Sequence, residues 1–166
     1  DGRFTTLNDI TISPSPIQKP RVPIWVAGRK DVAMKRVAKY GDGWMPYMYT
    51  PDMLADSMSK IADYSVEAGR PADAVQGGLY IFTCVHESRD RALEMANEQL
   101  SKQYNQDFTK LVSKYTISGS PDDCIEQINS YRQAGAETVI FAQGCPPDYV
   151  EANTRLIGEA ILPAFA

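Results

Sequence analysis

An α/β fold built on a parallel sheet is the architecture this sequence predicts. Three observations carry the prediction. Short apolar runs at 24–27, 42–46, 78–85 and 138–142 alternate with longer stretches whose apolar residues recur at helical spacing. Strands alternating with helices imply parallel neighbours joined by right-handed crossovers. The first run is apolar on consecutive residues, as a central strand covered on both faces is. The predicted order is β-α-β-α-β-α-α-β-α. Four strands are too few to close the usual eight-stranded barrel, so they make either a small open sheet or half of a barrel.

Residues 1–22 read as an extended arm, with 23–166 as the folded domain. Within the arm, Phe4–Leu7 and Asp9–Ile12 suggest a short hairpin around Asn8-Asp9. Pro14, Pro16, Pro20 and Pro23 then stiffen a connector. The arm has little core of its own and reads as built to lie on something else. Ile24–Ala27 is the first strand. Asp31 is a candidate N-cap for a helix that reaches Tyr40, with Gly41 as its C-cap. Asp42–Pro46 is the second strand, and Tyr47–Thr50 is the loop at its C-terminal end. Thr50-Pro51-Asp52 opens a helix that Gly69-Arg70-Pro71 stops. Gly78–Val85 is the third strand, and a long helical region follows to about Tyr115. Ser118 to Asp123 has the signature of a helix start: serine, proline and acids in the first turn. That helix ends at Ala134-Gly135. Thr138–Ala142 is the fourth strand, Gly144–Asp148 a turn, and Tyr149 to about Ile161 the closing helix.

Composition narrows the function classes. Hydrophobic residues make up 43% and charged residues 23% of the 166, an ordinary globular balance. A net charge of −4 argues against a nucleic-acid platform. No apolar run approaches the roughly 20 residues a bilayer requires, and the start does not resemble a signal sequence. Cys84, Cys124 and Cys145 are odd in number and lack CxxC spacing, which fits free thiols in a reducing cytoplasm and no metal site. The chain opens on Asp1 rather than Met, so processing or truncation is an expectation.

The chemistry centres on Val26-Ala27-Gly28-Arg29-Lys30-Asp31. A strand, a glycine turn and a basic helix start make a place for a phosphate, because the first amides of a helix lack internal partners and carry partial positive charge. Asp31 works against this, since its carboxylate would repel a dianion and could cap the same amides.

Five segments in order resemble one family, the bacterial luciferase-like monooxygenases, which are flavin- or deazaflavin-dependent (β/α)8 TIM-barrel enzymes. Asp1-Gly2-Arg3-Phe4 with Pro14-Ser15-Pro16-Ile17-Gln18-Lys19-Pro20 resembles the insertion before the fifth barrel strand. Pro23-Ile24-Trp25-Val26-Ala27-Gly28 resembles that strand and its turn. Tyr40-Gly41-Asp42-Gly43-Trp44 resembles the sixth strand. Gly119-Ser120-Pro121-Asp122-Asp123 followed by Ala134-Gly135-Ala136 resembles the helix and eighth strand, and Ile161-Leu162-Pro163 the chain end. The resemblance covers nearly the whole chain and implies four strands corresponding to the second half of the barrel.

The resemblance implies a cofactor, FMN or an 8-hydroxy-5-deazaflavin coenzyme, at the C-terminal ends of the strands, with Gly28, Arg29 and Lys30 holding its phosphate. Many members carry a second glycine, a serine or a small residue where this chain has Arg29, Lys30 and Asp31. The substrate would be a small organic molecule, and the catalytic residues would lie in the absent first half. The half-barrel is expected either to self-associate or to pair with that missing half, because its sheet edges are open. Trp44, Tyr47, Tyr49, His86, Phe141 and Gln143 are the candidate pocket residues, each with a plainer reading in packing or a loop. Asp42 reads as a turn-bonding residue, and Asp122 and Asp123 as helix-start acids. Cys145 reads as inert, for want of a nearby base. Two function classes follow: the cofactor-holding half of an oxidoreductase, or a non-catalytic half-barrel that binds no flavin alone and acts through association.

Overall fold

The longest strand organises the sheet. In the computed structural model, which describes residues 1–166, β3 (Gln76–Val85) takes parallel neighbours along both of its edges. On one edge Gln76 and Gly77 pair with β2 (Gly43–Trp44), which in turn pairs with β1 (Trp25–Val26). Farther along, Phe82–Val85 pair with β4 (Thr116–Gly119). Gly78–Thr83 pair with β5 (Thr138–Gln143). Phe82 and Thr83 have partners in both β4 and β5, so those two strands take opposite edges of β3. β1, β4 and β5 therefore each have a neighbour along one edge only.

The helices are α1 (Asp31–Tyr40), α2 (Pro51–Glu67), α3 (Arg89–Tyr104), α4 (Val112–Tyr115), α5 (Pro121–Gln133) and α6 (Val150–Leu156). The main core lies where α1, α2, α5 and the C-terminal turns cover one face of the sheet, with Trp44, Leu54, Ile61, Leu79, Ile81, Ile117 and Ile161 fully buried. Strand parity assigns the faces. Leu79, Ile81 and Thr83 point to the helices. Gly78, Tyr80 and Phe82 point to the other side, the inner face, in register with Thr138, Ile140 and Ala142 of β5.

Tertiary contacts lock the helix ends to the sheet. Arg70 donates to the carbonyls of Val37 and Ala38, at 3.1 and 2.7 Å, and so caps the C-terminal end of α1. Asn153 of α6 is fully buried. Its Oδ1 accepts from the Val85 amide at 2.7 Å, and its Nδ2 donates to the Thr83 carbonyl at 3.0 Å and to Gln143 Oε1 at 2.9 Å. No helix is long and apolar enough to cross a membrane.

Several sequence expectations need correction. The sheet has five strands, not four. Thr116–Gly119 is too short and too polar to show a strand period, but its hydroxyls are satisfied by partners close by in sequence. Thr116 Oγ1 bonds the Val112 carbonyl at 2.7 Å and lies 2.8 Å from Ser118 Oγ. The long helical region to Tyr115 is broken, because Asn105 enters the left-handed region at φ 49° and ends α3. The first strand is neither central nor buried: it is two residues at the sheet edge, with Trp25 open on the inner face. The N-cap of α1 is Lys30, without a side-chain bond, and Asp31 is the first helical residue. The predicted hairpin in the arm does not form. Residues 1–22 are exposed and strandless, consistent with the marginal stability of an isolated hairpin. The closing helix is composite: a 3₁₀ turn at Pro147–Tyr149, then α6, a π turn at Ile157–Ile161 and a 3₁₀ turn at Leu162–Phe165.

Candidate functional site

The strand-to-helix turn after β1 is shaped by one glycine and one tryptophan. Gly28 has φ +116°, and a Cβ there would come within 2.9 Å of Ala33 Cβ. Only glycine takes this path without strain. Trp44, fully buried behind the turn, donates its indole N–H to the Gly28 carbonyl at 2.9 Å. The turn is thus held from the core side, and its other side is left to solvent.

That open side is rich in donors. The α1 hydrogen-bond ladder begins with Ala33 and Met34 donating to the Lys30 carbonyl, at 2.8 and 3.2 Å. The preceding amides, those of Arg29, Lys30, Asp31 and Val32, have no acceptor in the chain. Arg29 and Lys30 are exposed, and the Asp31 carboxylate makes no hydrogen bond and so does not cap these amides. A run of free N–H groups at a helix start, flanked by two cations, is an arrangement that receives anions. The Arg29 guanidinium lies over the Tyr47 ring, 5.5 Å from its centroid, and reaches the Met48 carbonyl at 3.4 Å.

Beside the turn, on the inner face, an apolar groove of about 370 Å³ is lined by Trp25, Val26, Ala27, Met45, Tyr47 and Tyr80. It exists because glycines stand opposite the tryptophan. The Trp25 ring lies over Gly43 and Gly78, and a Cβ at Gly78 would come within 2.6 Å of Cζ3. Anion donors and an apolar slot therefore meet at the C-terminal edge of β1.

The structure divides the pocket candidates. Gly28, Arg29, Lys30 and Tyr47 come together at the turn. Trp44 braces the turn from the core and is closed to a ligand. Tyr49 is also buried, edge-on to Trp44 at 5.5 Å, and its carbonyl accepts from the Tyr131 hydroxyl at 2.6 Å. Phe141 and Gln143 point to the helix side of β5, not to the groove. Phe141 helps line a larger cavity of about 560 Å³ with Ile128, Arg132, Val139, Leu162 and Phe165, along the β5 edge. Gln143 bonds Asn153 and Thr154 of α6. His86 follows β3. Its Nδ1 accepts from the Ser88 amide at 3.0 Å and its ring lies 5.8 Å from that of Tyr149, so its partners are these two rather than the turn.

Other polar groups serve the fold. Asp42 receives two bonds from Arg21 and one from the Ile24 amide, and Arg21 first, then Ile24, holds its carboxyl below the usual range. Asp123 forms a reciprocal capping box with Ser120. Cys84 and Cys145 are buried together, and the Cys84 thiol is pushed up by its bond to Cys145 and by burial. Sequence reading overlooked Trp25, Met45, Tyr80, Phe82 and Tyr104. The signal for the strand members was the period of two within each run, which a reading of the strands as buried on both faces discards.

Comparison with known proteins bears on this geometry. The family profile described as luciferase-like monooxygenase matches residues 1–138. The chain is 26% identical over 191 residues to an F420-dependent glucose-6-phosphate dehydrogenase from Microbacterium testaceum, covering 98% of this chain and 54% of that protein. It is 19% identical over 199 residues to a 5,10-methylenetetrahydromethanopterin reductase from Methanopyrus kandleri, covering 99% of this chain and 57% of the relative. Among solved structures, an F420-dependent secondary alcohol dehydrogenase bound to an F420-acetone adduct superposes with a TM-score of 0.82 at 18% identity, covering 98% of this chain and 54% of that one. The chain thus spans about half the length of the relatives it matches, and its parallel (β/α) units correspond to the second half of their TIM barrel. By the extent of the profile match and the agreement of the fold, the chain belongs to the luciferase-like monooxygenase family.

Proposed function

We propose that this chain is the phosphate-holding half of a flavin- or deazaflavin-dependent oxidoreductase. The observation that carries the reading is the run of unpaired amides from Arg29 to Val32, flanked by two cations and opening beside an apolar groove. The arrangement fits a molecule with a phosphate at one end and a flat apolar ring system at the other. Gly28 sets the path of the turn that leaves these amides free, since any Cβ there would crowd Ala33. Asp31 offsets part of the positive charge but leaves the amides free.

The groups present would act by binding and orientation. The amides and Arg29 would hold the phosphate, and Trp25, Met45 and Tyr80 would exclude water from one side of the ring system. The bound coenzyme supplies the electron or hydride chemistry. Relatives named for F420 support a deazaflavin, and a structural neighbour described as a riboflavin lyase with modified FMN supports FMN. The whole protein would then oxidise or reduce a small organic substrate, with its acid–base groups on strands outside these residues.

A second reading, a non-catalytic half that acts through association, draws on the open edges at β1 and β5. Titrating the chain with FMN and with 8-hydroxy-5-deazaflavin phosphate, read by coenzyme fluorescence, separates the two. Saturable binding that weakens about 10- to 100-fold in Arg29→Ala supports the first reading, since a charge-assisted hydrogen bond contributes about 1.5–3 kcal/mol. No binding of either, with association intact, supports the second.

A further inference from the structure

Cys84 of β3 and Cys145, just after β5, meet inside the fold, although α3, α4, β4, α5 and β5 all lie between them in sequence. The register brings them together. β3 and β5 pair as far as Thr83 and Gln143, and the Gly144 amide donates to the Thr83 carbonyl at 3.0 Å, so Cys145 follows the residue beside Cys84. Neighbouring strands lie about 4.8 Å apart, and a disulfide spans about 4.4–6.8 Å between Cα atoms, so this register is one that a bridge can join. Both cysteines are buried in one small cluster with Ala92, Met95 and Ala96 of α3 and Val112 of α4. The Cys145 S–H faces Gln143 Oε1 at 3.7 Å. The Cys84 thiol donates to the Cys145 sulfur, which holds the Cys145 thiol below its ordinary value against the opposing effect of burial.

The two thiols differ in access. Cys84 is fully buried in the strand that has neighbours along both edges. Cys145 sits in the short turn between β5 and the 3₁₀ turn Pro147–Tyr149, where Pro147 and Asp148 are exposed. Opening of that turn uncovers Cys145 first, with Cys84 behind it. Cys124 is the contrast within the same chain. It lies on α5 in the main core, in a cluster with no other cysteine, and its S–H faces the Gly119 carbonyl at 3.8 Å. Burial pushes its thiol up to about 12.

We propose that Cys84 and Cys145 are a redox pair that closes into a disulfide when the chain meets hydrogen peroxide, fastening the C-terminal segment to β3. The Cys145 thiolate attacks one peroxide oxygen and the O–O bond breaks. Cys145 becomes a sulfenic acid, and the hydroxide released takes up the proton that Cys145 gave, forming water. The Cys84 sulfur then attacks the Cys145 sulfur. The S–S bond forms, the S–O bond breaks, and the departing hydroxide takes the Cys84 proton as a second water. Two thiols lose two electrons in all, and the peroxide gains them. The bridge joins β3 to the turn that leads into α6, whose Asn153 already bonds the Val85 amide and the Thr83 carbonyl. A disulfide stabilises chiefly by restricting the unfolded chain, and more so for a long loop.

The test treats the native 166-residue chain with hydrogen peroxide, blocks the remaining thiols in denaturant and maps the peptides by mass spectrometry. Free thiols are expected to fall from three to one, with Cys84 linked to Cys145, Cys124 still reduced, and all three thiols restored by dithiothreitol. The urea midpoint should rise on oxidation and return on reduction. Cys124→Ala should keep the bridge. In Cys145→Ala, with folding checked by circular dichroism, Cys84 should react about tenfold or more slowly with peroxide than the native pair, since a buried protonated thiol is a poor nucleophile. Three free thiols after treatment, a bridge to Cys124, a bridge between two chains, or one that forms only after urea has unfolded the chain overturns the pairing. A Cys84–Cys145 bridge that leaves the urea midpoint unchanged or lowered overturns the fastening.

Discussion

Gly28 shows how one residue can decide a site. Its backbone occupies the left-handed side of φ space, and the space for a Cβ is already taken by Ala33. Gly28→Ala should therefore destabilise the fold by about 1–3 kcal/mol, the usual cost of holding a side-chain-bearing residue in such a conformation. A urea denaturation midpoint measures this, and an unchanged midpoint would mean that the turn relaxes freely. Asn153 is the matching case in the core. Asn153→Leu would strip the acceptor from the buried Val85 amide and the donor from the Thr83 carbonyl. A loss of about 1–3 kcal/mol is expected, because an orphaned buried polar group carries its full desolvation penalty. Of these two, Gly28 was legible in the sequence as a turn. Asn153 was not, because an asparagine in an amphipathic stretch looks solvated until its strand partners, 68 and 70 positions away, are known.

The elements vary in how far local chemistry defines them. The start of α5 is self-contained. Ser120, Pro121 and Asp123 build the capping box within four residues, so reading the sequence found it. This box also carries a pH dependence. The Ser120 amide, and then its hydroxyl, hold the Asp123 carboxyl below the ordinary value. A lowered folded-state pKa stabilises above the unfolded value and loses that contribution as pH falls through the folded one. Between about pH 5 and about pH 3, the urea midpoint of the native chain should fall more steeply than that of Asp123→Asn. Parallel curves would remove Asp123 from the acid response. β4 is the opposite case. Its residues have no strand signature of their own, and they are extended because the free edge of β3 beyond β2 accepts them. The short β1 is an edge strand for a related reason: it gains a neighbour on one side only.

At the level of the molecule, α1, α2, α5 and the C-terminal turns cover one face of the sheet, α3 covers the other around Phe82 and Cys84, and Trp25, Tyr47, Tyr80 and Ile140 stay open. The outer edges of β1 and β5 present unpaired backbone groups, which invite another strand. Edge-to-edge association is therefore the expected behaviour of the chain, and light scattering should report a dimer or larger. Ile140→Lys places a charge on the β5 edge strand and should shift the population toward monomer. A native chain that remains monomeric at high concentration would refute edge pairing. The apolar arm, with Phe4, Leu7, Ile10, Ile12 and Ile17 exposed, adds surface of the same kind.

The alternation of strands and helices, the glycine turn with its two cations and the serine-proline helix start were all readable from local patterns, because each depends on residues within a few positions of one another. The family resemblance rested on the same short segments. Which strand lies at an edge, which side of β3 faces the main core, and how Trp25, Tyr47 and Tyr80 come to line one groove depend on pairing between segments tens of residues apart. Those relations are set by register, and a shift of one residue would turn every side chain to the opposite face. Trp44 became a core residue, and Trp25 and Tyr80 groove residues, through that register.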